Sequence, residues 1–166
     1  MRIATPLLLV ALAALLPGCG KGVGVVTPAG GQALVVEVST NQPGGSPGHD
    51  VTITMLAENR GTTTVYCLVN CYGPAMQVTM VGPDGKQVEF EDPRRIVPAC
   101  VPYSRAFEPG YRIQNEIRFD GTLYRSDGEE YAAPPGIYTV IASLPYGGNE
   151  IGSVMEGGAK FYWIHP

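Results

Sequence analysis

From Gln32 onward, apolar residues alternate with polar ones at a period of two residues. The apolar segments are short, rich in Val, Ile, Thr and Tyr, and separated by Gly, Pro, Asn and Asp. Successive side chains of a β-strand point to opposite faces of the sheet, so this pattern predicts strands that bury one face. We therefore predict an all-β domain over residues 32–166.

The alternation predicts a series of strands joined by turns. Residues 34–39 and 51–58 show it most clearly, with Leu34, Val36, Val38, Val51, Ile53, Met55 and Ala57 inward. After the turn at 59–61, we expect residues 62–69 to form the hairpin partner of 51–58. Further strands are predicted at 76–80, 88–90, 111–119, 137–144 and 159–164.

Two features complete the fold prediction. Pro83-Asp84-Gly85-Lys86 is a turn signal, because Pro presets φ and Gly accepts a positive φ. Residues 91–102 hold three prolines, which cannot donate ladder hydrogen bonds, so we expect a connection that changes sheets. The spacing favours an immunoglobulin-like antiparallel β-sandwich of about seven or eight strands.

The first residues have the features of an export signal. Arg2 precedes an apolar run from Leu7 to Leu16 that is too short to span a bilayer. Leu16-Pro17-Gly18-Cys19 resembles the lipobox of bacterial lipoproteins. The resemblance implies a signal peptide over 1–18, acylation of Cys19 and an extracytoplasmic, lipid-anchored location in the bacterial envelope.

The segment after Cys19 is rich in Gly and has no period, so we predict a flexible tether over 19–31. The formal net charge is −4, and no basic run occurs after the leader. Nucleic-acid binding is therefore not expected, because neutralising phosphates supplies most of its affinity. The expected partners are the membrane, through Cys19, and a protein of unknown identity.

If Cys19 is acylated, three cysteines remain for one internal disulfide. On one extended strand Cys67 and Cys71 would lie about 13 Å apart, beyond the Cα separation of about 7 Å that a disulfide permits. We therefore predict a bridge between Cys71 and Cys100, with Cys67 and Cys100 as the alternative. An unpaired Cys67 would be a buried thiol or an intermolecular link.

Metal and catalytic chemistry find little support in the sequence. His49 or His165 could join the cysteines on zinc, but the strand spacing keeps the thiolates apart. Met55, Met76 and Met80 would suit copper, yet they fall on inward strand positions, where Met is ordinary core filling. We predict no metal site and no cofactor.

The candidate catalytic side chains are the acids and His49. His49 and Asp50 are strand neighbours that point to opposite faces, so they do not form a base and its orienting group. The acidic residues Asp120, Asp127, Glu129 and Glu130 lack calcium-loop spacing and occur with Asp-Gly turn signals. We interpret them as a solvated loop and predict a protein that is not an enzyme.

Four blocks of sequence resemble the BsuPI-type proteinase inhibitor domain. They are residues 48–59 (GHDVTITMLAEN), 81–86 (VGPDGK), 107–110 (FEPG) and 134–140 (PPGIYTV), and Phe119 stands where that family usually has Trp. The resemblance covers residues 34–144 and implies an immunoglobulin-like fold. It also implies proteinase inhibition as one possible activity.

Three hypotheses follow. The first is a non-enzymatic envelope module that binds a protein through an exposed loop or sheet edge, with loops 44–48, 91–102 and 120–134 as contact candidates. The second is a proteinase inhibitor that holds one of these loops extended in a protease cleft. The third, an enzyme or metal protein, requires convergent polar groups in a pocket.

Overall fold

A computed structural model describes residues 22–25, 34–70, 73–74, 76–95, 101–147 and 151–164. In chain order its strands are β1 Gly22–Val25, β2 Leu34–Thr40, β3 Gly44–Gly45, β4 Val51–Asn59, β5 Val65–Asn70, β6 Gly73–Pro74, β7 Gln77–Val81, β8 Gln87–Val88, β9 Tyr103–Phe107, β10 Arg112–Phe119, β11 Thr122–Tyr124, β12 Glu130–Ala132, β13 Gly136–Gly147 and β14 Ile151–Trp163. Within these ranges all regular secondary structure is β, which confirms the all-β prediction. The count exceeds seven or eight mainly because several strands have only two or three residues.

Two main sheets stack to form a sandwich. The smaller sheet has the order β1-β2-β4-β10, and all of its pairs are antiparallel. In the larger sheet β14 lies between β3 and β13, and the other side of β13 pairs with both β7 and β5. The strands β9 and β6 pair with β5, β8 pairs with β7, and β11 and β12 form a separate hairpin.

The strand order is that of an immunoglobulin-like sandwich. By position β2, β4 and β10 correspond to strands A, B and E, and β5, β13 and β14 correspond to C, F and G. Tyr138, near the start of β13, is buried, and its hydroxyl donates a hydrogen bond of 2.8 Å to the carbonyl of Pro134. This is the tyrosine corner of such folds. It gives a physical reason for the Pro134-Pro-Gly-x-Tyr block in the sequence.

The core lies between the sheets, and the predicted alternation is confirmed along β4, where every second residue from Val51 is buried. Phe161 and Trp163 of β14 face the core and Tyr162 faces outward, as predicted. Four aromatic rings meet at one end of this core. Phe119 packs against Tyr138, Phe161 and Trp163, with ring centroids 5.1 to 5.5 Å apart.

The two ends of the sandwich are named after what closes them. The aromatic end is where β2 and β10 finish, β4 and β13 begin, and the four rings meet. The Asn59 end is the opposite one, where β4 finishes and β10 begins. There the buried side chain of Asn59 donates hydrogen bonds to the carbonyls of Thr63 and Phe107.

The predicted hairpin between residues 51–58 and 62–69 is wrong. The strand β5 pairs with β13, β9 and β6 in the larger sheet, although Val65, Cys67 and Val69 do face the core. The reason lies at Asn59, whose side chain also accepts a hydrogen bond from the Gly61 N–H. This bonding turns the chain from one sheet to the other instead of back along β4.

The predicted sheet change within residues 91–102 is also wrong. The strands on either side of this segment, β8 and β9, both belong to the larger sheet. The chain changes sheets between β4 and β5 and again between β9 and β10, where Tyr111 N–H donates to the carbonyl of Glu108 in a tight turn. Residues 96–100 lie outside the described part.

The predicted tether of residues 19–31 is wrong for residues 22–25. These residues form β1, which pairs with Val35 to Val38 of β2. Without β1 that edge of β2 would have unpaired backbone donors and acceptors, and a fourth strand satisfies them. The predicted signal peptide, Cys19 and residues 26–33 lie outside the described residues.

Candidate functional site

Loop 44–48 is folded tightly against the sandwich. Gly44 and Gly45 pair in parallel with the end of β14, and Ser46 and His49 exchange backbone hydrogen bonds of 3.1 and 2.7 Å. A Cβ on Gly45 would lie 2.6 Å from the Trp163 ring. The loop is therefore a compact turn whose exposed tip is residues 47–49.

Loop 120–134 is a hairpin rather than an irregular loop. The carboxylates of Asp120 and Asp127 accept hydrogen bonds from the N–H groups two residues on, at 2.8 and 2.9 Å. Gly121 and Gly128 follow these acids with φ of +88° and +84°, which confirms the predicted Asp-Gly turns.

The acidic residues predicted to be solvated, Asp120, Asp127, Glu129 and Glu130, are all exposed, which confirms that part of the prediction. Leu123 and Ala133 of the same segment, which the interpretation did not cover, are completely buried. They are buried because the β11–β12 hairpin places them against the core.

The described part of loop 91–102 packs on that hairpin. Asp92 and Arg94 form an ion pair of 3.0 Å, and hydrogen bonding to Arg94 lowers the pKa of the Asp92 carboxyl. The Arg94 side chain covers Gly128, because a Cβ there would lie 2.1 Å from Nε. The described parts of all three candidate loops thus lie close to the β10–β13 connection.

Two shallow grooves border these loops. One, of about 360 Å³, lies between the hairpin and Pro47 and includes the carboxylates of Asp120 and Glu130. The other, of about 390 Å³, lies between residues 90–95 and β10 and includes Glu116 and Arg118. Both grooves are open, and Asp120 is already bonded to the Thr122 N–H within its own turn.

Cys67 is a free, fully buried thiol. Burial raises its pKa to about 12, so the sulfur stays protonated and unreactive at physiological pH. The free thiol of Cys67 gives no support to the alternative bridge between Cys67 and Cys100. Cys71 and Cys100 lie outside the described residues, and their pairing remains a prediction.

The residues considered for metals and catalysis lie in different environments. Met55 and Met80 are in the core, whereas His49 is exposed at a loop tip. The Asp50 carboxylate accepts a hydrogen bond from the Arg118 guanidinium. Within the described ranges no three His, Cys, Asp or Glu side chains are close enough to hold a metal ion; His165 is outside them.

The outer face of the larger sheet has exposed apolar side chains that the sequence analysis did not single out as a surface. Ile137, Val154 and Tyr162 are 45%, 55% and 56% exposed. Tyr162 lies directly opposite Ile137 across the β13–β14 ladder, and Val154 lies opposite Pro145. The apolar residues at outward positions of β14 could have indicated this surface, but the sequence predicted only the second half of the strand.

In the described ranges we find no helix that is long and apolar enough to cross a bilayer. No family model matches the chain, and no curated protein sequence matches it.

Solved structures to which this chain has a weak likeness include a β-glucosidase from Erythrobacter marinus, at a TM-score of 0.41 and 11% identity over 80% of this chain. The β-glucosidase from Listeria innocua in complex with isofagomine has a TM-score of 0.42 and 10% identity over 81% of this chain. The chain spans 16% of the length of each of these proteins. A likeness this weak supports no statement about activity.

Proposed function

We propose that this protein is a non-enzymatic, lipid-anchored module of the bacterial envelope that binds a protein partner. The observation that carries the binding part of the proposal is the outer face of the larger sheet, defined by Ile137, Val154 and Tyr162. The anchoring part is supported by the apolar leader and the Leu-Pro-Gly-Cys19 sequence.

The outer face has the character of a binding surface. A side chain on the solvent face of an antiparallel sheet is ordinarily polar, yet Tyr162 and Ile137 form a cross-strand pair there. Aromatic residues are enriched where protein interfaces are buried, and exposed apolar surface rimmed by polar residues marks interaction sites. Lys160 and Glu156, both exposed on the same face of β14, lie between Tyr162 and Val154 and add charged groups to this surface.

The partner surface is tested by capture from envelope extract with the lipidated protein. Tyr162→Lys places a charge beside Ile137 in the proposed contact and should abolish recovery of the partner that the unaltered chain retains. Gln114→Lys on β10, also exposed but on the other sheet, is the matched control and should retain it. Equal recovery by both variants would contradict the proposed surface.

The anchor is tested separately by fractionation of cells that produce Cys19→Ala. Removal of the acylated sulfur should leave the chain uncleaved or move it out of the lipid-modified fraction. Continued labelling of the variant with a fatty-acid probe would exclude Cys19 as the modified residue.

Proteinase inhibition is the alternative, implied by the resemblance to the BsuPI-type domain. It requires a loop that stays extended in a protease cleft, whereas loops 44–48 and 120–134 are closed by internal hydrogen bonds. A protease panel assayed with the mature protein in detergent decides the matter. Inhibition at micromolar concentrations would favour the alternative, and the absence of inhibition would exclude it.

A further inference from the structure

We infer that β1 holds the domain against the lipid surface, with the β1 edge of the smaller sheet and the aromatic end nearest the membrane and the Asn59 end pointing away. This inference rests on the proposed acylation of Cys19. It goes beyond acylation itself, because it predicts a domain with a defined orientation on the membrane instead of one that moves freely on a long linker.

The first argument is the reach of the chain. β1 begins at Gly22, which pairs with Val38 of β2. Only three peptide steps separate Cys19 from Gly22, and at 3.8 Å for each step they span at most about 11 Å. If the chain first joined the domain at Leu34, fifteen such steps would span at most about 57 Å. The β1 pairing therefore shortens the link several-fold.

The second argument is the direction in which the link leaves the domain. β1 runs antiparallel to β2, so Gly22 lies beside Val38, toward the aromatic end, and Val25 lies beside Val35, toward the Asn59 end. The residues that precede Gly22 are thus attached at the end of β1 that is closer to the aromatic end. β1 is also the edge of its sheet, three strand spacings or about 14 Å from β10.

The orientation follows from the short link rather than from charge attraction. The aromatic end carries exposed acids, including Asp84, Asp120 and Asp127, which anionic headgroups would repel. We therefore expect the orientation to persist at high salt. Loops 44–48 and 120–134 would face the lipid, and turns 60–64 and 108–110 would face the aqueous space.

The test measures how close two positions come to the bilayer. Ser39→Cys, next to the residue that pairs with Gly22, and Glu108→Cys, in the turn before β10, are each labelled with a fluorophore in the lipidated protein. The vesicles contain phosphatidylethanolamine and phosphatidylglycerol with a headgroup-attached quencher. The chain with only its own cysteines gives the labelling background.

We expect the label at 39 to lose most of its fluorescence and the label at 108 to lose little, at low and at high salt. A Gly-Ser spacer inserted between Gly20 and Lys21 lengthens the link without touching β1 and should reduce the difference between the labels. Gly24→Pro, which removes a backbone donor within β1, should do the same.

Equal quenching of both labels on vesicle-bound protein would overturn the orientation and leave the anchor intact. Protein that does not associate with vesicles at all would overturn the anchor, and the orientation with it.

Discussion

The two ends of the sandwich are closed by different physical means. At the aromatic end three rings pack around Phe119, and Gly45 and Gly121 let the backbone approach Trp163. At the Asn59 end a single buried amide satisfies the carbonyls of Thr63 and Phe107 and the N–H of Gly61 at 2.7 to 2.9 Å. The first end is thus closed by a large apolar area, whereas at the second one buried amide holds the backbone at residues 61, 63 and 107 together.

The largest effect is expected from the aromatic end. Trp163→Ala should lower the free energy of unfolding by about 3–5 kcal/mol, because it removes a large buried side chain and leaves a cavity. Urea unfolding measures the loss. Tyr162→Ala, one residue earlier but exposed, should change stability by less than about 0.5 kcal/mol. Similar losses for both would mean that Trp163 is not part of the core.

The Asn59 end should show the next largest effect. Asn59→Ala leaves the buried carbonyl of Phe107 and the part-buried carbonyl of Thr63 without this donor, and we expect a loss of about 3 kcal/mol in urea unfolding. Asn41 is the matched control at the aromatic end, because its exposed side chain also bonds to the backbone, accepting from Thr52 N–H at 2.8 Å. Asn41→Ala should cost below about 1 kcal/mol. A reversed order would refute the closing role of Asn59.

Two glycines, one at each end of the sandwich, test how tightly the side chains pack against the backbone there. Gly121 at the aromatic end and Gly110 at the Asn59 end have φ of +88° and +80°, so Ala is strained at both. A Cβ at Gly110 meets no atom within 4 Å, whereas at Gly121 it would lie 2.0 Å from the Trp163 ring. Gly110→Ala should cost about 1 kcal/mol and Gly121→Ala about 2 kcal/mol more by thermal or urea unfolding. Equal costs would show that Trp163 can move aside.

The smallest effect is expected at the tyrosine corner. Tyr138→Phe removes one hydrogen bond to Pro134 and should cost about 1 kcal/mol at pH 7. Burial raises the pKa of Tyr138 to about 12, above the value of about 10 in an unfolded chain. The unfolded state then binds fewer protons between pH 10 and 12, so stability falls as pH rises through this window. Between pH 9 and 11.5 the free energy of unfolding should fall less for Tyr138→Phe than for the unaltered chain. An equal fall in both proteins would mean that other groups cause the pH dependence.

Much of the fold could be predicted from the sequence wherever one face of a strand meets water. The alternation along Val51 to Ala57 identified the inward residues of β4 correctly, because burying the wrong face would expose every apolar side chain. The turn at Gly85, with φ of +78°, and the outward position of Tyr162 were also predictable from local chemistry.

Pairing partners could not be predicted, because they depend on contacts that are distant in sequence. The rule that neighbouring strands pair assigned β5 to β4, but the side chain of Asn59 redirects the chain, and nothing in its local sequence indicates that its bonds reach Phe107. The composition of residues 22–25 suggested a tether, whereas the unpaired edge of β2 recruits them as β1.

The sequence indicated where the candidate loops lie, but it did not predict the strands that form within them. Loop 120–134 contains two Asp-Gly turns, and a hairpin between them depends on Leu123 being covered by the core. The apolar outer face escaped prediction because β14 begins at Ile151, where three small residues, Gly152, Gly157 and Gly158, weaken the periodic pattern.

The position of β14 has a consequence for how the protein is made. This strand is the last of the described strands in chain order, yet it lies between β3 and β13 and supplies Phe161 and Trp163 to the ring cluster. While the ribosome is still translating residues before 161, Phe119 and Tyr138 have no β14 to cover them. Completion of the domain must therefore wait for the nascent chain to reach Trp163, and a chaperone has that interval in which to bind the uncovered rings.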